Sequence, residues 1–251
     1  MKNATLEIGD GKAVLTLANP PLNVLDIATM SEIAGALDEA GAEKDLRVLV
    51  LQADGRAFCA GVDVGEHMGD QAKVMIETFN AFIAKFLDFP LPTVALVKGA
   101  ALGGGCELLM ACDMVYATPN AVFGQPEIKV GVYPPPATVL LPPMVGTKKA
   151  AEMILTGAHV TAEEAARVGL ITAVFGPEEF DDETGKVVES LLNLSGSVLR
   201  STVEVLRFGK RFLQVMEPVT GHYLEKLMKT KDATEGLTAF LEKRPPEWTH
   251  E

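Results

Sequence analysis

Three segments of this 251-residue chain carry residues able to do chemistry. The first, AALGGGCELLMACD (residues 100–113), sets Gly103, Gly104 and Gly105 just before Glu107 and surrounds that carboxylate with Leu108, Leu109, Met110, Ala111 and Cys112. A glycine run leading into a helix permits close backbone approach and presents free N–H groups with the positive end of the helix dipole behind them. Such donors suit a phosphate, or the oxyanion that develops on a carbonyl. The run matches neither GxGxxG nor GxxxxGK[ST], so no nucleotide fingerprint applies. Taken alone, it is also explained by tight helix–sheet packing.

The second segment, GRAFCAGVDVGEH (55–67), follows a strand and puts an Ala-Gly turn before Asp63. The third, FGQPEIKVGVYPPP (123–136), carries a second glutamate, Glu127, in an apolar stretch. The chain between Glu107 and Glu127 has room for one helix turn, one strand and a return. Two buried carboxylates facing one cavity cannot both ionise freely, so one should hold a proton near neutral pH. Such a pair can serve as general base and general acid together. Either glutamate alone is equally read as the partner of a core lysine or as a helix cap. The three segments together point to a site.

The elements that must position these residues can be read along the chain. AVLTLA (13–18), RVLVLQA (47–53), TVALVKG (93–99), MVYAT (114–118) and LITAVFG (170–176) have the composition of strands. TMSEIAGALDEAGAE (29–43) and AKVMIETFNAFIAKFLDF (72–89) have apolar positions at helical spacing, the second stopping before Pro90. Alternation of strand and helix predicts an α/β fold with largely parallel pairing. From about residue 147 the segments are helix-like: 148–157, 161–169, 180–194, 197–216 and 219–244. No low-complexity linker separates the two parts, so they should pack together, and the sequence has no fixed-period repeat.

Composition narrows the function. At 48% hydrophobic the chain can bury a large core, and 22 basic against 34 acidic residues give a net charge of −12. That balance argues against nucleic acid or an anionic membrane as partner. Cys59, Cys106 and Cys112 are odd in number and lack ligand spacing, which fits buried thiols in a cytoplasmic protein, with neither a disulfide frame nor a metal site. The start, MKNATLEIGDGK, has no apolar run of signal-peptide length. Residues 91–117 are interrupted by Lys98, Glu107 and Asp113, against a membrane span.

In their order, FCAGVD, ALGGGCELLMACD and FGQPE resemble the signature of the crotonase (enoyl-CoA hydratase/isomerase) superfamily. The similarity runs from about residue 5, through NPPLNVLD (19–26), to AFLEKRPPEW (239–248). It implies a repeated ββα spiral core over residues 1–190 and a C-terminal helical region over 191–251 that forms a homotrimer or a dimer of trimers. It also implies an oxyanion hole made by the backbone N–H groups of Val62 and Gly104, holding the thioester carbonyl of an acyl-CoA. Phe58, Ala60, Asp63, Gly103 and Tyr133 would then lie along the substrate, with Asp63 equally suited to stabilising its own turn. In hydratases of the family both glutamates hold a water: Glu107 would take its proton and Glu127 would protonate carbon. Coenzyme A belongs to the substrate, so no separate cofactor or metal is implied. Losing one oxyanion donor typically costs about 3–4 kcal/mol of barrier.

Two departures from the family pattern bear on the substrate. No lysine follows Asp63 in VDVGEH, so the CoA phosphates must be met elsewhere, with Lys243 and Arg244 of a neighbouring subunit as candidates, although both also read as solvated surface charges. The glycine-rich stretch usual after QPE is replaced by YPPPATVLLPP (133–143). Prolines fix φ and remove donors, giving a stiffer, drier wall, and Val130, Val132, Tyr133, Val139, Leu140 and Leu141 add bulk. This segment resembles that of the ring-diene hydratases of anaerobic aromatic degradation, which implies an alicyclic dienoyl-CoA ahead of a straight-chain enoyl-CoA. An isomerase of the same fold needs one carboxylate, so the pair favours hydration. A scaffold or RNA-binding relative is disfavoured by the intact glutamates and the acidic charge. The four histidines form no cluster, though His67 is near enough to FCAGVD to line a pocket.

Overall fold

The computed structural model describes residues 1–207 and 212–249. A hairpin of β1 (Ala4–Gly9) and β2 (Lys12–Leu17) opens the chain, followed by α1 (Ile27–Ala42). The side chain of Asp26 caps α1 by accepting from the Thr29 N–H at 2.7 Å. Next come β3 (Val48–Ala53), β4 (Ala57–Cys59) and α2 (Gln71–Leu87), then β5 (Thr93–Val97), β6 (Ala100–Leu102) and α3 (Gly104–Met110). A third such unit has β7 (Met114–Ala117), β8 (Val122–Gly124) and α4 (Pro135–Val145). The chain continues through α5 (Thr147–Thr156), β9 (His159–Thr161), α6 (Ala162–Arg167) and β10 (Ala173–Val174). It ends in α7 (Phe180–Leu192), α8 (Gly196–Leu206), α9 (Phe212–Glu225) and α10 (Lys231–Glu242).

Among these residues the strands form two sheets, a six-stranded one in the order β1-β2-β3-β5-β7-β10 and a four-stranded one in the order β4-β6-β8-β9. Each ββα unit places its first strand in the large sheet and its second in the small one, so the chain winds as a spiral. Pairing is parallel except for β1 with β2 and β8 with β9. The repeat has no fixed sequence period because the helices differ so much in length: α2 has 17 residues and α3 has 7. The central strands β3 and β5 are apolar on both faces, as parallel strands buried on both sides are. In β3, Leu49 and Leu51 join the main core while Val48 and Val50 pack with Val94, Tyr116, Phe180 and Val188.

The short strands β4, β6, β8 and β9 escape a reading based on runs of apolar residues, being three residues each. The strand expected over 93–99 stops at Val97 and turns into β6, and that expected over 170–176 is only Ala173–Val174. The helix expected over 197–216 is observed as α8 and the start of α9; residues 208–211 between them lie outside the described residues, as does His250. No helix among the described residues is long and apolar enough to cross a membrane.

A buried ion pair ties the helical end to the spiral. Arg207, just after α8, donates from Nε to Asp113 Oδ1 at 3.1 Å and from Nη1 to the Leu87 carbonyl at 3.1 Å, with the Phe89 carbonyl also bonded. Asp113 Oδ2 in turn accepts from the Thr93 N–H and hydroxyl, each at 2.9 Å. The guanidinium thus satisfies carbonyls left open where α2 ends, and every charge is matched, which a buried pair requires.

Candidate active site

The site forms where α3 begins. Gly103, at the junction with β6, has φ +53°, and a Cβ placed there would lie 2.6 Å from Glu127 Oε1. A Cβ on Gly104 would lie 2.7 Å from Val62 Cγ2, and one on Gly105 would lie 2.4 Å from the Cys59 carbonyl oxygen. Three pieces of chain meet here with no space for a side chain: the loop after β4, the first turn of α3 and the turn bearing Glu127. The glycine run is the condition for that meeting.

Two amide donors result. Val62 forms an isolated parallel bridge with Leu25, whose N–H donates to the Gly61 carbonyl and whose carbonyl accepts from the Asp63 N–H, both at 2.9 Å. The bridge uses the groups on either side of Val62 and leaves the Val62 N–H facing away from Leu25. It has no acceptor among the described residues. Gly104 is the first residue of α3, so its N–H has no partner within the helix, and it too has none among the described residues. Both residues line a cavity of about 370 Å³.

Glu107 and Glu127 line the same cavity. Glu107, on α3, is 2% exposed, and its Oε1 accepts from the Ala137 N–H in the first turn of α4 at 2.8 Å. Glu127 sits in the helical turn Pro126–Val130. The fully buried Gln125 amide, with its nitrogen toward Glu127, lies 3.3 Å from both carboxylate oxygens. Burial raises the pKa of both glutamates. For Glu107 the charge on Glu127 adds to this and the Ala137 bond opposes it; Glu127 is pushed up to about 8. The pair therefore holds a proton at neutral pH, leaving one group able to accept a proton and one able to give it.

Of the residues singled out in the sequence, Val62, Gly104, Glu107, Glu127, Ala60, Gly103 and Tyr133 come together on this cavity. The others do not. Phe58 is fully buried within β4, packed in the core. The Asp63 carboxylate is taken by its own turn, accepting from the Gly65 N–H at 2.7 Å. Lys243 follows the end of α10 and Arg244 is bound to Glu235 and Glu242, away from the cavity within this chain. Val130, Val132 and Tyr133 are on the wall, whereas Leu140 and Leu141 pack into the core and Val139 packs against it. His67 is on the wall; its Nδ1–H donates to the Asp63 carbonyl at 2.9 Å and burial lowers its pKa, so the ring is neutral. Sequence reasoning missed Phe79 on α2, Tyr223 on α9, and Leu237 and Phe240 on α10, which complete the wall. Their only signal is an apolar position on an amphipathic helix, which any core residue shares.

A pair of unpartnered N–H groups facing two proton-sharing carboxylates is the geometry for activating a carbonyl and moving protons beside it. A profile of the enoyl-CoA hydratase/isomerase family matches residues 7–251. The chain belongs to that family. It is 38% identical over 242 residues to the cyclohexa-1,5-dienecarbonyl-CoA hydratase of Thauera aromatica, covering 93% of this chain and 91% of that protein. It is 32% identical over 258 residues to a probable enoyl-CoA hydratase of Bacillus subtilis, covering the whole of both. The crystal structure of an enoyl-CoA hydratase from Mycobacterium avium subsp. paratuberculosis K-10 superposes with a TM-score of 0.86 at 30% identity, covering 98% of each chain. The protein is thus an enoyl-CoA hydratase-like lyase of the crotonase fold.

The raised carboxyl in this family site has a cost in stability that depends on pH. Folding lifts the Glu127 pKa from 4.5 to about 8, so the folded state binds this proton more tightly than the unfolded state. The stability it contributes is fully present below about pH 4.5 and is lost as pH rises through about 8. Replacing Glu127 by Gln removes that dependence. Urea unfolding at a series of pH values should find Glu127→Gln gaining stability relative to the wild type as pH rises from about 5 to 8; a difference that stays flat would mean the carboxyl is not shifted.

Proposed function

We propose that this enzyme adds water to an alicyclic dienoyl-CoA thioester, cyclohexa-1,5-diene-1-carbonyl-CoA being the type, ahead of a straight-chain enoyl-CoA. The observation that carries the reading is the enclosure of two carboxylates and two free amide donors in one cavity whose wall is mostly apolar and includes the stretch Tyr133, Pro134 and Pro135. The thioester oxygen accepts from the Val62 and Gly104 N–H groups, which draws electrons from the conjugated system. Glu107 takes a proton from water as its oxygen bonds to carbon. Glu127 gives its proton to the carbon at the end of the extended dienolate, and a proton passing from Glu107 to Glu127 resets the pair. The proline stretch of the wall, fixed in φ and without N–H donors, suits a compact ring. Support comes also from the 38% identity to a hydratase named for that ring diene.

We further infer a homotrimer or dimer of trimers, with residues 1–190 as the spiral core and 191–251 as the helical region that assembles it. On α8, Val198, Val205 and Leu206 are 61%, 63% and 68% exposed, more apolar surface than one helix of a monomer usually leaves to water.

Three measurements bear on this reading. Glu107→Gln and Glu127→Gln should each lower hydration more than about tenfold, at least 1.4 kcal/mol of barrier, while circular dichroism and CoA binding stay unchanged. Retention of a larger fraction by either variant removes the two-carboxylate mechanism. Ring specificity is decided by comparing kcat/KM for the cyclic dienoyl-CoA and for crotonyl-CoA: the ring ester should turn over faster, and the reverse order leaves a straight-chain hydratase. Light scattering at micromolar concentration should give three or six times the chain mass; a monomer contradicts the assembly.

A further inference from the structure

The glutamates share their cavity with a polar group the mechanism above does not use. Tyr223, on α9, lines the space that Glu107 and Glu127 line, and it is 1% exposed. Its ring is held in place: Tyr133 meets it edge to face, with centroids 5.4 Å apart and planes at 89°. Tyr133 is itself anchored, its hydroxyl donating to the Val219 carbonyl at 3.0 Å, one turn back along α9. The two phenols differ in one respect. The Tyr133 hydroxyl is engaged, whereas the Tyr223 hydroxyl has no hydrogen-bond partner among the described residues, yet it is not sealed from the cavity. Buried tyrosines normally place this group against a partner, because leaving it unmet costs free energy.

We propose that Tyr223 is a positioning residue for Glu127, its hydroxyl donating through one bridging water to that carboxylate and stabilising the charge left there when Glu127 gives its proton to carbon. The inference rests on the hydration chemistry assigned above. A donor aimed where charge develops acts on the rate of the step more than on binding. Burial, then the charge on Glu127, then Tyr133 and Glu107, push the phenol's own pKa up, so it stays protonated and available as a donor. The other titratable groups on this space are Glu107 on α3, the neutral His67, Lys129 beside Glu127, and Tyr133, against which His222 of α9 packs.

Tyr223→Phe keeps the ring and its contact with Tyr133 and removes only the donor. For hydration, kcat should fall about tenfold or more, with KM changed less than about twofold. The basic limb of the pH–rate profile should move to higher pH, because Glu127 without the donor is a weaker acid. Infrared titration of the Glu127 carboxyl band, identified by its loss in Glu127→Gln, should show the same upward movement with no substrate present. Wild-type kcat together with an unmoved Glu127 midpoint overturns the role of Tyr223 while leaving the hydratase reading in place. A lowered kcat with an unmoved midpoint also overturns it, since Tyr223 would then act elsewhere. A wild-type protein that hydrates no enoyl-CoA overturns the reaction instead, and the infrared midpoint alone then decides whether Tyr223 acts on Glu127.

Discussion

The site depends on one steric constraint: no Cβ fits where the first turn of α3 crosses the loop after β4 and the turn carrying Glu127. The arrangement of the site follows from that closeness. The Gly104 N–H and the Val62 N–H share one cavity because Gly104 lies against the Val62 side chain, and Glu127 faces that cavity because Gly103 leaves it room. Larger residues would separate the two free amide donors from the two carboxylates that share their cavity. Glycine in a helix is entropically costly, and here the cost lies where close backbone approach builds the cavity.

The spiral is what brings these pieces into register. Each ββα unit sends its second strand into the small sheet, so β4, β6 and β8 lie side by side although they are far apart in the chain. Their C-terminal ends deliver the Val62 loop, the start of α3 and the Glu127 turn to one edge. The carboxylates placed there are destabilising by themselves, being desolvated and close together. The surrounding structure offsets this through the Ala137 N–H, the Gln125 amide and retention of a proton.

The helical end closes the cavity. Tyr223, Leu237 and Phe240 come from α9 and α10, and Tyr133 is fastened to α9 by its hydroxyl, so the wall of the cavity is shared between the spiral and the C-terminal helices. Arg207, paired with Asp113 and bonded to the Leu87 and Phe89 carbonyls, fixes α8 to the end of α2, whose Phe79 is also on the cavity wall. Packing of the C-terminal helices and shape of the cavity are therefore one problem, so a substitution in either should be felt in the other.

The sequence by itself determined the local chemistry: a glycine run before a carboxylate, a second carboxylate in an apolar turn, an alternation of strands and helices, and an order of motifs that named the family. These are properties of neighbours in the chain, carried by residue type and short spacing. Tertiary structure alone decided which side chains share a cavity. It turned Asp63 to its own turn, buried Phe58 in the core, tied Arg244 to Glu235 and Glu242, and placed Tyr223 on the cavity that Glu127 lines, almost a hundred residues away in the chain. Three-residue strands were illegible because so short a run has no measurable period, and they exist only through pairing with partners distant in sequence. The Val62 N–H was legible only through the order of motifs, because any residue has that group and the bridge to Leu25 decides which way it points.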